Sequence, residues 1–193
     1  MRTLILMLVA LTCVVGTTSA QSSTKKKEDK SMTYTMTVTK GNKELGKIVI
    51  KLWPDIAPKH CEFFDARVAE GWYDGSAFHR VIPGFMIQGG DPNSKDQPRN
   101  TWGSGGYKDK VVAEFNNRKH VRGVLSAART NDPNSFSGQF FLCVADSPWL
   151  DNQYTAFGEV VSGMEVADLV VNSPRDAQDN PLEKITFTVV KGQ

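Results

Sequence analysis

The sequence predicts a mainly β fold, a closed antiparallel barrel with helical caps. Short runs of β-type residues alternate with long segments rich in Gly, Asn, Pro and Asp, and only two segments have helical apolar spacing. Many short strands between turn-forming segments are typical of barrels, in which closure removes exposed sheet edges. With 193 residues, 40% of them hydrophobic, the chain can fill one core and is too short to favour two domains.

The first two strands are predicted as a hairpin, because TYTMTVT (33–39) and KIVIKLW (47–53) alternate in polarity around the turn residues KGNKELG. The next segment, APKHCEFFDARVAEG (57–71), begins with Pro58 after one residue and ends with Gly71, which are residues typical of helix start and stop. Cys61, Phe64 and Val68 share one face. This segment is therefore predicted to be an amphipathic helix.

The remaining elements are short. Four β-type runs follow, FMIQ (85–88), VLSAA (124–128), FFLCVA (140–145) and FGEVV (157–161). GMEVADLVVN (163–172) has the spacing of a second helix, and ITFTVV (185–190) reads as the closing strand. No internal repeat is visible, so the elements are predicted to form one barrel with two helices.

Residues 1–20 have the pattern of a secretory signal peptide: Arg2, an apolar run from Leu4 to Val15, and the small-residue exit GTTSA. The run is too short for a standard transmembrane helix, so export is favoured over anchoring. Residues 21–31, QSSTKKKEDKS, hold no apolar side chain and are predicted to be a flexible polar linker before the domain at 32–193. VVKGQ at the end is not an endoplasmic-reticulum retention tetrapeptide, so periplasm or secretion is expected rather than that lumen.

Composition excludes several classes of function. Lys and Arg number 23 against 21 acidic residues, which gives no electrostatic case for nucleic acid or an anionic membrane. His60, His79 and His120 are not spaced as metal ligands usually are, so no metal is expected. The sequence contains no G-x-S-x-G pattern, so a serine hydrolase is not predicted. Cys61 and Cys143 could form one disulfide or remain two buried thiols, and the sequence leaves both readings open.

One arginine stands in unusual surroundings. In FHRVIPGFMIQGG (78–90), alternation places Phe78, Arg80 and Ile82 on one side of a strand that ends at Pro83-Gly84. Burying an unpaired guanidinium is costly, so Arg80 should either pair with a structural acid or line a cleft. This segment alone does not distinguish an arginine paired with an acid from one that lines a cleft.

Four motifs decide the question. FHRVIPGFMIQGGDP, SGQFFLCVA, WLDNQYTAFGEVVSGMEV and APKHCEFF resemble the cyclophilins, a family of peptidyl-prolyl cis/trans isomerases, in order and approximate spacing, from about Met32 to Val190. The resemblance implies a closed barrel of eight antiparallel strands with a helix over each end. It also implies an isomerase without cofactor whose active-site groove lies on the outside of the barrel, and a monomer that binds proline-containing polypeptides.

The resemblance also implies the site. Arg80 matches the catalytic arginine, Gln88 the glutamine beside it, and Phe85 a wall of the proline pocket. The positions that match substrate-binding residues are Met86, Ala128, Arg129, Gln139, Phe141, Trp149, Leu150 and Tyr154. The best-known members have asparagine and histidine where this chain has Arg129 and Tyr154. We expect Tyr154 to be tolerated because it keeps an aromatic ring with a polar tip, and the Arg129 side chain to point to solvent. Trp149 favours cyclosporin binding, and Arg129 leaves it open.

The expected function is acceleration of X-Pro isomerisation during the folding of exported proteins. Two alternatives of other classes stay open at this point: a binding module that grips proline-containing segments as a chaperone, with incidental turnover, and a secreted signalling ligand. A pure binder would need the apolar pocket but not Arg80, which favours the enzyme. His79, next to Arg80, is expected to be structural because the reaction moves no proton.

Overall fold

The structure is a computed structural model that describes residues 32–192, so the predicted signal peptide 1–20 and linker 21–31 lie outside the described residues. Within this range the strands are β1 (Thr33–Lys40), β2 (Lys43–Leu52), β3 (Ser76–Ala77), β4 (Arg80–Ile82), β5 (Met86–Gly89), β6 (Val124–Ala127), β7 (Phe140–Cys143), β8 (Ala156–Ser162) and β9 (Ile185–Lys191). The helices are α1 (Pro58–Ala69), α2 (Asn93–Asp96) and α3 (Met164–Val171). None of the helices in the described range is long and apolar enough to cross a bilayer.

The strands form one curled antiparallel sheet of nine strands in the order β3-β9-β1-β2-β8-β6-β7-β5-β4. The predicted opening hairpin is present, with β1 paired to β2 along its whole length, and β9 covers the other edge of β1. The sheet curls because right-handed strand twist accumulates from strand to strand. The prediction of a mainly β fold is confirmed, and the helices predicted within 57–71 and 163–172 are found at 58–69 and 164–171, whereas the short helix α2 was not predicted.

The two ends of the sheet are neighbours in sequence. β3 pairs with β9 and β4 pairs with β5, and only Phe78 and His79 separate them. The Phe78 N–H donates to the Ile185 carbonyl (3.0 Å), whereas the His79 N–H donates to the Gln88 carbonyl (3.0 Å). The resemblance implied eight strands, and the count here is nine because the segment 76–82 changes partner at this point.

This change of partner corrects the predicted side-chain alternation. Phe78 is fully buried while Arg80 is exposed, so the two do not share a face. The next core residue is Val81, three positions after Phe78, because the strand is interrupted at residues 78 and 79. A pattern of strict alternation cannot reveal such a break, since it assumes a continuous pleat.

The main core is aromatic and lies between the sheet and α1. Phe64 from α1 contacts Tyr34 (ring centres 5.4 Å apart), Tyr73 (4.8 Å) and Phe140 (5.9 Å), and all four rings are fully buried. Each ring of this size stabilises the fold by about 1.5–3 kcal/mol through burial alone. The apolar face predicted for α1 is therefore the face that closes the core.

Contacts from distant parts of the chain fix the start of α1. Pro58 takes the first helical position, where a missing N–H leaves no hydrogen bond unmade. The following N–H groups, from Lys59 (3.1 Å) and His60 (3.0 Å), donate to the carboxylate of Glu114. Gly71 ends the segment with φ +65°, a conformation that glycine adopts without strain.

Both cysteines in the described range are buried free thiols, Cys61 in α1 and Cys143 in β7. Of the two interpretations left open by the sequence, the buried thiols are therefore the observed state. Burial raises the pKa of each thiol to about 12, which keeps both protonated and unreactive near neutral pH.

Candidate active site

A second apolar cluster lies on the face of the sheet opposite the main core. Its buried members, here called the outer cluster, are Met86, Phe141, Cys143 and Leu150, and the half-buried side chains packed against it are Ile82, Phe85, Ala128 and Tyr154. Strands β5 and β7 supply both layers, because successive side chains of a strand point to opposite faces. The residues of these strands that face the main core are Ile87, Phe140 and Leu142. A strand with apolar side chains on both faces must be covered on both, or it presents an apolar surface to a ligand.

Arg80 lies in a row with two other predicted site residues. It pairs in register with Gln88 across β4 and β5, and Gln88 pairs with Phe141 across β5 and β7. Residues paired in register project to the same face of a sheet. Two strand spacings, about 10 Å, therefore separate the backbone of Arg80 from that of Phe141 in the outer cluster.

The guanidinium of Arg80 is exposed, and among residues 32–192 no hydrogen bond or ion pair engages it. The alternative in which a structural acid neutralises Arg80 is therefore not what the structure shows. His79, immediately before it, is buried, and burial lowers the pKa of its imidazole. A neutral ring thus lies behind an exposed, permanently charged guanidinium.

A chain of amides fixes the side chain next to Arg80. Gln88 donates through Nε2 to Oε1 of Gln139 (2.9 Å), and Gln139 donates through its own Nε2 to the carbonyls of Gly103 (3.0 Å) and Gly105 (2.7 Å). Gln139 is only 9% exposed. The glycine-rich run GSGG (103–106) is thus a tight loop, and a Cβ at Gly105 would collide with the carboxylate of Asp91.

Aromatic side chains form the far rim of the outer cluster. Trp149, 56% exposed, packs on Phe85 with ring centres 5.6 Å apart, and it belongs to a short 3-10 turn at Pro148–Leu150. Leu150 from the same turn is buried in the outer cluster. The rim therefore combines one exposed indole with apolar side chains that are already packed.

The two positions that depart from the best-known cyclophilins contact each other. The Tyr154 ring meets Phe141 edge-on, with centres 5.8 Å apart, and the Arg129 guanidinium carbon lies 4.4 Å from the centre of the Tyr154 ring. Arg129 also donates to the carbonyls of Gln153 (3.0 Å) and Thr130 (2.9 Å). The expectation that Arg129 points to solvent is wrong, because this stacking and these two hydrogen bonds hold the side chain against the protein.

Three polar residues behind Phe141 were not identified from the sequence. His120 stacks on Phe141 with ring centres 6.3 Å apart, and its ring nitrogens lie 3.2 Å from Asp151 Oδ1 and 3.0 Å from Ser126 Oγ. Ser126 is fully buried and donates to a backbone carbonyl, so this Ser-His-Asp group cannot attack a substrate. Its effect is to support Phe141. Thirty-one residues separate His120 from Asp151, and no local pattern in a sequence could connect them.

Nine of the eleven predicted site residues thus occupy one surface. They are Arg80 and Gln88 in the row, Trp149 at the rim, and six residues in or against the outer cluster, namely Phe85, Met86, Ala128, Phe141, Leu150 and Tyr154. The other two, Gln139 and Arg129, hold neighbouring side chains in place. An exposed cation beside a packed apolar surface can bind an apolar ring and donate hydrogen bonds to a polar atom next to it. No redox or covalent chemistry is required of these side chains.

Comparison with known proteins agrees with the fold and the surface. The family model described as "Cyclophilin type peptidyl-prolyl cis-trans isomerase/CLD" matches residues 33–191. The chain belongs to the cyclophilin family. Like the relatives named below, it is a peptidyl-prolyl cis-trans isomerase.

Curated relatives include peptidyl-prolyl cis-trans isomerase ppi1 of Schizosaccharomyces pombe, 43% identical over 143 residues that make up 73% of this chain and 89% of the relative. A probable peptidyl-prolyl cis-trans isomerase of Brucella suis is 44% identical over 153 residues, 75% of this chain and 78% of the relative. Among solved structures, a cyclophilin-type isomerase of Cryptosporidium parvum aligns with a TM-score of 0.75 and 29% identity, covering 84% of this chain and 98% of that one. A second structure of that protein, in the presence of the dipeptide Ala-Pro, gives 0.74 and 30%, covering 83% and 99%.

Proposed function

We propose that Arg80 catalyses isomerisation by donating a hydrogen bond to the prolyl nitrogen of the twisted X-Pro amide. The barrier of about 18–20 kcal/mol is the amide resonance that is lost as the C–N bond rotates. In the twisted state the nitrogen lone pair is localised, so a donor aimed at it binds the transition state better than either ground state. A guanidinium remains charged at any working pH and presents a rigid fork of N–H groups.

The observation that carries this proposal is the row of Arg80, Gln88 and Phe141. The outer cluster offers an apolar surface for the proline ring, and Arg80 lies on the same face, two strands from Phe141. The side-chain Nε2 of Gln88 donates to Gln139. The side-chain oxygen of Gln88, Oε1, therefore remains as an acceptor that can orient the Arg80 guanidinium. The ring is then held while the other side of the bond rotates.

The required lowering of the barrier is consistent with a hydrogen bond from Arg80 acting together with alignment of the peptide. Lowering the barrier by about 6–8 kcal/mol accelerates the reaction by roughly four to six orders of magnitude. A hydrogen bond from a charged donor contributes about 1.5–3 kcal/mol. Alignment of the peptide and exclusion of water from the amide must contribute the remainder.

For the cellular role, we propose that residues 1–20 direct export and that the mature protein, a monomer, acts on proline-containing segments of proteins folding in the periplasm or outside the cell. Uncatalysed X-Pro isomerisation takes tens of seconds, which makes a catalyst useful wherever such chains fold. The apolar run after Arg2 supports export. The exposed indole of Trp149 supports cyclosporin as an inhibitor that occupies the same rim.

We also propose that the curled sheet closes into a barrel of eight strands, with β3 and β4 acting as one strand. The direct passage from Ala77 through two residues to Arg80 supports closure, because this segment bonds to β9 at one end and to β5 at the other.

The test is cis-to-trans isomerisation of an Ala-Pro peptide by the wild type and by Arg80→Ala, with Arg118→Ala as matched control. Arg118 is also exposed but stacks on Trp53, outside the predicted site. We expect Arg80→Ala to lose roughly 10–10²-fold in kcat/KM, the loss that corresponds to a hydrogen bond of about 1.5–3 kcal/mol, and Arg118→Ala to resemble wild type. Equal turnover by folded Arg80→Ala refutes the mechanism, and peptide binding without turnover by wild type indicates a binding module.

A further inference from the structure

Arg129 is a cation whose orientation is fixed by the protein. It follows β6 by two residues and stacks on Tyr154 at 4.4 Å. Its Nε donates to the Gln153 carbonyl, and its Nη1 donates to the Thr130 carbonyl. A guanidinium has five N–H donors, so three remain, on Nη1 and Nη2, after these two hydrogen bonds. Most of the side-chain entropy that an arginine loses on binding a ligand has therefore been lost already in the folded protein.

The charge of Arg129 has no carboxylate partner among residues 32–192. Of the seven arginines in this range, four form ion pairs with Asp or Glu: Arg67, Arg99, Arg122 and Arg175. The other three are Arg80, Arg118 and Arg129, and two of these lie at the candidate active site. Arg129 is half-buried, and a half-buried cation without a counter-charge is disfavoured unless a ligand supplies that charge.

The position of Arg129 relative to the outer cluster sets what it can reach. Tyr154 lies between the guanidinium and Phe141, at 4.4 Å from one and 5.8 Å from the other. The guanidinium is therefore at most about 10 Å from the Phe141 ring, a distance that about three residues of extended chain span. A side chain within three residues of a proline bound against Phe141 can reach it.

We propose that Arg129 determines substrate specificity by pairing with an acidic side chain within three residues of the isomerised proline, so that the preferred substrates are acidic proline-containing segments. This inference rests on the proposed binding of proline at the outer cluster. Carboxylate is the ligand chemistry that matches the remaining donors, because two parallel N–H groups of a guanidinium bind its two oxygens. The contact with the Tyr154 ring holds the guanidinium in place, and its three remaining N–H groups are available to such a carboxylate.

The experiment uses pairs of proline peptides that differ by Glu against Gln at one position, scanned from three residues before to three residues after the proline. For each peptide the catalysed rate is divided by the uncatalysed rate, because the substitution also changes intrinsic isomerisation. We expect one position at which wild type prefers Glu over Gln by about two- to fivefold in kcat/KM, the range given by a solvent-exposed ion pair. The preference should decline as ionic strength is raised.

The variants assign the preference to Arg129. In Arg129→Gln the ratio of kcat/KM for the Glu and Gln peptides should fall to about one, and in Arg129→Lys it should be intermediate, since charge is kept but the two carbonyl hydrogen bonds are lost. Arg118→Gln removes the same charge from another stacked arginine and should retain the wild-type ratio. Thermal unfolding verifies that each variant is folded.

Each result decides between the two proposals. A wild-type enzyme that turns over all peptides with a ratio near one at every position overturns the specificity role and leaves the isomerase mechanism intact. A preference that persists in Arg129→Gln assigns it to another cation and also overturns the inference. Absence of turnover on every peptide overturns the proposed function and the specificity role with it.

Discussion

Gln139 connects the catalytic row to the glycine-rich loop. It accepts a hydrogen bond from Gln88 and donates to two backbone carbonyls, so three polar groups depend on one buried amide. The family resemblance assigned Gln139 to the substrate, whereas these contacts commit its amide to the protein. Its influence on catalysis therefore passes through the orientation of Gln88, which in turn lies beside Arg80.

Gln139→Glu tests this dependence with an isosteric change. A carboxylate cannot donate to the carbonyls of Gly103 and Gly105, and each buried acceptor left without a partner costs about 1–3 kcal/mol. We expect a lower free energy of unfolding in urea and a lower kcat/KM with nearly unchanged KM. Gln178→Glu is the control for the added charge, at an exposed glutamine whose side chain makes no hydrogen bond within residues 32–192. If Gln139→Glu is as stable as that control, the amide chain does not support the site.

The 3-10 turn Pro148–Leu150 shows how an element outside the sheet is held in place. Two contacts with His120 fix it: the Ser147 N–H donates to the His120 carbonyl (2.7 Å), and the His120 N–H donates to the Asp151 carboxylate (2.9 Å). The His120 ring then stacks on Phe141. His120 thus supports both the 3-10 turn that carries Trp149 and the Phe141 side chain of β7.

Asp151 should make this support sensitive to acid. The backbone N–H of His120 and the ammonium of Lys119 lower the pKa of Asp151 to about 2. Because its ordinary value is near 3.9, the carboxylate stabilises the fold above about pH 4, and this contribution is lost as pH falls towards 2. We expect the Tm of wild type to decrease between pH 4 and 2 more steeply than that of Asp151→Asn. The control is Asp55→Asn, at an exposed aspartate. Parallel Tm curves for wild type and Asp151→Asn would contradict the assignment.

Across the whole molecule, what the sequence could predict depends on how local the cause is. The amphipathic spacing of α1 and α3 is local, and both helices were located correctly. α2 was missed because four residues within a polar loop show no apolar period. The break at residues 78 and 79 was missed because it arises from a change of partner strand. The site residues came from the family resemblance, and the stacking of Arg129 on Tyr154 required coordinates.

The molecule has two apolar layers that share strands but differ in role, and neighbouring residues of β5 distinguish them. Ile87 is fully buried in the main core, whereas Met86 belongs to the outer cluster. Ile87→Ala should lower the free energy of unfolding by about 2–5 kcal/mol and leave kcat/KM near wild type at temperatures well below its Tm. Met86→Ala should instead lower kcat/KM about tenfold or more, because losing one well-packed contact of the proline ring costs about 1–3 kcal/mol.

Urea unfolding and kcat/KM at 10 °C measure the two effects on the same preparations. Met86 is itself nearly fully buried, so its variant also loses stability, and the deciding quantity is kcat/KM of the folded protein. If Ile87→Ala lowers kcat/KM as much as Met86→Ala does, the core and the outer cluster act as one packed unit. If only Met86→Ala lowers kcat/KM, the two faces of the sheet have separate roles: the inner face provides stability, and the outer face binds the proline.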